Sequence, residues 1–179
     1  MATSKSCSEG SDLNIRQTTR ADLPHLHAVI ERAYRGDAAR GGWTHEADLL
    51  DGTRTDLAAL EAILASPAER LLIAEREEKI VGCVQVSDRG GGIAYLGLLC
   101  VDPSLQAEGL GRRLIAAAEA EARAAFTATT IEMTVIDKRI ELIAYYERRG
   151  YALTGERRPF PIPLDPPLSM VVLAKELAA

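Results

Sequence analysis

The chain has 179 residues, 47% of them hydrophobic and 26% charged, with a formal net charge of −5. That length and balance suit one soluble globular domain that needs no metal or disulfide to hold its core, and the acidic balance argues against a nucleic-acid partner, which would call for a basic face. No apolar run approaches the ~18 residues of a bilayer span, so no membrane partner is expected; Cys7, Cys83 and Cys100 lack metal-ligand spacing and point to free thiols in a reducing, cytoplasmic setting with no metal.

Residues 1–12 are polar and rich in small side chains, without the apolar stretch of a secretory signal, and are expected to be a disordered tail ahead of a single domain over 13–179. Leu13 to Thr18 suits a short strand. Thr19, with Asp22 three residues on, forms a partial capping box that opens a helix; Pro24 falls in its first turn, and Leu26, Val29, Ile30 and Ala33 share one face to about Tyr34. Gly36 to Arg54 is a long mixed loop, and such loops in small domains are usually functional. Thr55 to Ala65 reads as a second helix stopped by Ser66-Pro67. Arg70–Arg76 and Ile80–Ser87 form a hairpin around Glu77-Glu78-Lys79, and Asp88–Gly92 turns the chain into Ile93–Val101. That last run is apolar enough to be buried on both faces. A long helix begins just after Gly109, with Leu110, Leu114, Ala117, Ala118 and Ala122 on one face. Thr130–Ile136 is a strand, and Glu141–Arg149 is a short helix ended by Gly150. Tyr151–Glu156 and Met170–Lys175 are the last strands, split by the proline-rich Pro159–Pro167. Ile93–Val101, the long helix and Thr130–Ile136 make a β-α-β unit, so those two strands are expected to be parallel.

A buried strand, a glycine loop and a helix N-terminus in succession form an anion site: the unpaired N–H groups and the helix dipole face the loop. Here the loop is Gln106-Ala107-Glu108-Gly109-Leu110-Gly111-Arg112. Its glycines allow close backbone approach, and Arg112 and Arg113 add positive charge. Glu108 is repulsive to phosphate and is expected to point outward. Taken alone, the loop implies only that something anionic binds.

Val101-Asp102-Pro103 followed by Gln106-x-x-Gly109-x-Gly111 resembles the acetyl-CoA motif of the GNAT superfamily of N-acetyltransferases. Leu142-Ile143-Ala144-Tyr145-Tyr146-Glu147-Arg148-Arg149-Gly150-Tyr151 resembles the family's aromatic-Tyr-Glu-x-x-Gly-aromatic motif. The resemblance covers roughly residues 13 to 176; Gly42–Leu50 and Tyr151–Pro161 are similar to a poorly characterised bacterial subgroup. It implies an α/β (α+β) fold: a mixed, mostly antiparallel sheet of about six or seven strands, a central splayed parallel pair, and helices on both faces. It implies acetyl-CoA as donor and CoA as product. Pantetheine would lie in the splay against the peptide groups of Leu99, Cys100 and Val101, and pyrophosphate on Gln106, Ala107, Glu108, Gly109, Leu110, Gly111 and Arg112. An N–H near Leu99 or Cys100 would face the developing oxyanion. Tyr146 aligns with the tyrosine that many members use as general acid toward the CoA thiolate, a contact that also makes it a cofactor-binding residue. Arg139 stands where many members carry Asn. Dimers are common among similar proteins.

Direct transfer needs a neutral amine. An amine of pKa about 10.4 costs roughly 4–5 kcal/mol to deprotonate at pH 7, an α-amine only about 1 kcal/mol. Glu46 and His45, on the segment expected to roof the acceptor site, are the candidate bases, and Trp43 and Glu46 the candidate acceptor contacts. The acceptor is read as a primary amine of a small molecule or peptide. Two other readings compete: a non-catalytic acyl-CoA-binding regulatory module, and a Rossmann-type nucleotide binder, which the missing first glycine of G-x-G-x-x-G disfavours. An acetyl-cysteine intermediate on Cys100 is disfavoured by its apolar neighbours, which make a thiol inert.

Overall fold

The computed structural model describes residues 13–34, 55–105, 108–161, 165 and 167–178. The expected tail, the loop from Gly36 to Arg54 and part of the proline-rich stretch lie outside the described residues. A seven-stranded sheet in the order β1-β2-β3-β4-β5-β7-β6 organises the chain. Its strands are β1 (Asn14–Gln17), β2 (Glu69–Arg76), β3 (Lys79–Gly90), β4 (Ile93–Val101), β5 (Thr130–Ile136), β6 (Ala152–Pro159) and β7 (Ser169–Glu176). Every neighbouring pair is antiparallel except β4 and β5, which are parallel. The described helices are α1 (Leu23–Tyr34), α2 (Leu57–Ala65), α3 (Leu110–Phe126) and α4 (Ile140–Glu147). None is long and apolar enough to cross a membrane.

Period-two alternation in the strands builds a core on each face. Leu71, Ile73, Cys83 and Cys100 point to one side and pack with Leu26, Ile30 and Leu60 of α1 and α2. Leu72, Val84, Val86, Ile131, Met133 and Leu173 point to the other and pack with Leu114, Ala118 and Ala122 of α3. The apolar stripe on α3 thus faces the sheet, and helices cover both sides of it.

Most element ends lie within two residues of those read in the sequence, and two strands run further. β3 runs on to Gly90, because Asp88 still pairs with Ala94 and its carboxylate accepts the Gly90 N–H at 2.8 Å; the turn shrinks to Gly91-Gly92. β6 runs on to Pro159, which an edge strand tolerates because the missing N–H costs no ladder bond there. The β2–β3 hairpin turns on Glu77 and Glu78 at φ 50° and 60°, a two-residue loop made without glycine.

The β4–β5 pair is short. Only Ile93–Thr130, Ala94–Ile131 and Tyr95–Glu132 are in register. Beyond them the strands part, while β5 keeps seven paired positions with β7, Thr130–Glu176 through Ile136–Met170, on its other edge.

The edge strand β1 is tied down by Arg16. Its guanidinium donates to Glu75 at 2.9 and 2.6 Å and to both oxygens of Asp22 at 2.8 Å. Asp22 in turn accepts the Thr19 N–H at 2.7 Å, which completes the capping box expected from sequence. The Arg16 hydrogen bonds, first among the causes, hold the Asp22 carboxyl well below the usual carboxylate range. A carboxylate depressed in the folded state stabilises it above the unfolded pKa of about 3.9 and loses that contribution as pH falls below it. Arg16→Ala is therefore expected to lower the unfolding midpoint at pH 7 by about 2–4 °C, near 1 kcal/mol for a half-exposed pair. The difference from wild type should shrink progressively below about pH 4; a gap that stays constant down to pH 2 would rule out this linkage.

Candidate active site

Past Tyr95 the separating strands leave a cavity of about 310 Å³ that passes through the sheet. Gln85, Tyr95, Gly97 and Thr134 line it from the α1–α2 side. Leu96, Leu99, Met133 and Tyr146, members of the α3-side core, line it from the other. The Tyr95 hydroxyl bonds the Thr134 hydroxyl at 2.7 Å, bridging the two strands at the point where their backbone pairing ends.

β4 also bulges there. Cys83 pairs with Cys100 and Gln85 with Gly97, so Leu98 and Leu99 together face Val84. Leu98 takes φ 45°, left-handed and strained for a leucine. The bulge re-aims the peptide groups around Leu99 toward the cavity and α1. Tyr34 at the end of α1 donates its hydroxyl to the Leu99 carbonyl at 2.7 Å. One lone pair of that carbonyl is thus engaged within the protein.

The glycine loop enters α3 through Gly109, whose φ of 79° requires a residue without Cβ. Leu110 buries its side chain in the core, so it faces the loop only with its N–H. Gly111 presses on α4: a Cβ there would stand 2.7 Å from the Tyr145 hydroxyl. Arg149 lies 3.3 Å over the Tyr145 ring centroid and locks that contact. Glu108 is drawn away by Arg76, whose guanidinium donates to it at 2.5 Å. That ion pair neutralises the one carboxylate of the loop. Gln106 and Ala107 lie outside the described residues, as do Trp43, His45 and Glu46.

Tyr146 is 5% exposed and packs edge-on against Tyr145 and Tyr151, at 5.3 and 5.9 Å between ring centroids. Burial pushes its phenol well above the ordinary value; neighbouring Tyr145 adds to the shift, and Arg149 and Arg139 oppose it. Arg139 lines the same cavity, at the N-cap of α4. Cys100 is fully buried with its sulfur 3.5 Å from that of Cys83, and it does not line the cavity. Among the described residues, no group of three or more His, Cys, Asp or Glu could hold a metal.

Of the residues singled out in the sequence, Leu99 and Tyr146 therefore meet at the cavity, while Gly109, Leu110, Gly111 and Arg112 form the loop-to-helix entry. Sequence reasoning did not single out Tyr34, Gln85, Tyr95, Gly97 or Thr134. Gln85 had a signal, a polar residue amid Val84 and Val86 in a buried strand; the others look like ordinary strand and helix residues.

A family model described as "Acetyltransferase (GNAT) family" matches residues 27–151. A protein of Azospirillum brasilense named IAA acetyltransferase is 35% identical over 104 residues, covering 57% of this chain and 67% of that one. The fold is similar to that of the ribosomal-protein-S18-alanine N-acetyltransferase from Escherichia coli, with a TM-score of 0.72, 17% identity, and 94% and 96% of the two chains covered. It is also similar to yncA from Salmonella typhimurium, solved with its cofactor acetyl-CoA, with a TM-score of 0.69, 19% identity, and 93% and 94% covered.

The Gly111–Tyr145 contact is open to test. Gly111→Ala forces its methyl against the Tyr145 hydroxyl and is expected to cost about 1–3 kcal/mol. Adding Tyr145→Phe removes the clashing oxygen and should recover at least half of the lost unfolding midpoint; a double variant no more stable than Gly111→Ala would place the strain elsewhere.

Proposed function

The chain belongs to the acetyltransferase (GNAT) family, and on that premise we propose that it moves an acetyl group from acetyl-CoA to a primary amine of a small molecule or peptide by direct attack, with Tyr146 as general acid. The observation that carries this reading is the cavity through the sheet, on which the buried Tyr146 and the bulged Leu99 converge. The open β5-facing edge of β4 suits the amide-bearing pantetheine arm, which can pair with it as an added strand does. The α3 N-terminus and its glycines suit the pyrophosphate.

In this arrangement the amine nitrogen attacks the thioester carbonyl, and charge develops on the carbonyl oxygen. A backbone N–H at the Leu99 bulge stabilises that oxygen. As the C–S bond breaks, the Tyr146 hydroxyl gives its proton to the thiolate. Its raised pKa keeps that proton in place across the working range. The amine's proton leaves for water or for a group outside the described residues, where the candidate bases Glu46 and His45 lie. No described residue lining the cavity is a carboxylate or an imidazole. An acceptor already largely neutral near pH 8, an α-amine, makes less demand on a base than a lysine side chain does.

Acetyl-CoA and CoA, but not NAD, should raise the unfolding midpoint, and CoA thiol release should be faster with α-amines such as glycinamide than with Nα-acetyl-lysine. Midpoints raised by NAD alone would sink the assignment; tight CoA binding with no amine turned over would leave a regulatory acyl-CoA sensor. Tyr146→Phe should lower kcat by about 10²-fold with the KM for acetyl-CoA nearly unchanged. Because burial holds the phenol protonated, kcat/KM should rise to a plateau with no descending limb below about pH 10; a limb near pH 9 that Tyr146→Phe abolishes would contradict it.

A further inference from the structure

Gln85 projects from β3 into the cavity on the face opposite Tyr146. Its amide nitrogen donates to Glu69 Oε2 at 2.9 Å, and the same carboxylate oxygen accepts the buried Ser87 hydroxyl at 2.6 Å. A carboxylate can only accept, so Glu69 fixes which end of the Gln85 amide faces it. The side-chain carbonyl must then face the cavity. It stands 3.8 Å from the position a Cβ on Gly97 would take, so the missing side chain at Gly97 leaves it uncovered, one residue before the Leu98 bulge. Glu69 itself does not line the cavity.

We infer that Gln85 orients the acceptor: its carbonyl oxygen, held by Glu69, accepts an N–H of the incoming amine and turns the nitrogen lone pair toward the thioester. The inference rests on the acetyl-transfer reading of the same cavity. A primary amine has two N–H bonds. One stays on Gln85 through attack and remains in the amide product; the other proton is lost as the C–N bond forms and the C–S bond breaks. A secondary amine has a single N–H and must give it up, so it loses the Gln85 contact before the product forms. The site therefore selects primary amines, and Glu69 acts as a positioning residue through Gln85.

The test uses the full chain with acetyl-CoA, glycinamide and sarcosinamide. Gln85→Met keeps the length and removes the acceptor oxygen. It should lower kcat/KM for glycinamide about tenfold, and leave the KM for acetyl-CoA within twofold. Glu69→Gln frees the amide to turn and should cost several-fold although it touches no substrate. Wild type should prefer glycinamide to sarcosinamide, and Gln85→Met should erase most of that preference. An unchanged glycinamide rate in Gln85→Met, or an acetyl-CoA KM that rises in step with the loss, overturns the role of Gln85 alone. A wild-type chain that acetylates neither these nor any other amine overturns the acetyl-transfer reading beneath it.

Discussion

The structure depends on a parallel strand pair that begins and then stops. β4 and β5 share three paired positions and separate after Tyr95, and each is held on its far side by an antiparallel neighbour, β3 and β7 respectively. Neither strand can swing inward without breaking its outer ladder, so the gap is a fixed feature of the sheet. Leaving main-chain groups unpaired inside a sheet is costly. The fold reduces that cost locally: the Leu98–Leu99 bulge turns one carbonyl to the Tyr34 hydroxyl, and Tyr95 and Thr134 join their hydroxyls across the parting. What remains is an edge that can accept an extended, amide-bearing ligand, beside a cavity lined by residues of both faces.

The two ends of the site are mechanically joined. α3 carries the glycine loop at its start, α4 carries Tyr146, and the two helices touch where the Tyr145 hydroxyl lies on Gly111. Neighbouring tyrosines thus do different work: Tyr145 sets the spacing between the helices, and Tyr146 turns into the core and lines the cavity. The acidic character of the chain does not oppose an anionic ligand, since Arg76 engages Glu108, the loop carboxylate that would repel it.

Much of this was legible in the sequence, because it rests on local pattern. The order of strands and helices followed from apolar periodicity. The parallel pair followed from the β-α-β unit, and the N-cap at Thr19 and the glycine entry to α3 from side-chain chemistry within a few residues. Family membership was legible through two spaced motifs. The polar face of the cavity was not, because it is assembled across strands. Gln85 acquires meaning from Glu69, 16 residues earlier, and Tyr95 from Thr134, 39 residues later. The bulge that aims Leu99 was hidden for a related reason: a register slip against β3 leaves no mark in an apolar run. The extra length of β3 and β6 likewise comes from pairing partners, not from the residues added.

The central claim is that the parting of β4 and β5 is where the donor thioester and the acceptor meet. The most direct measurement is a crystal structure of the chain with CoA. The account predicts pantetheine running between β4 and β5, its amides bonded to the free edge of β4 and its sulfur within hydrogen-bond reach of the Tyr146 hydroxyl. CoA ordered on another surface, with the strand gap filled by side chains or water, would contradict it.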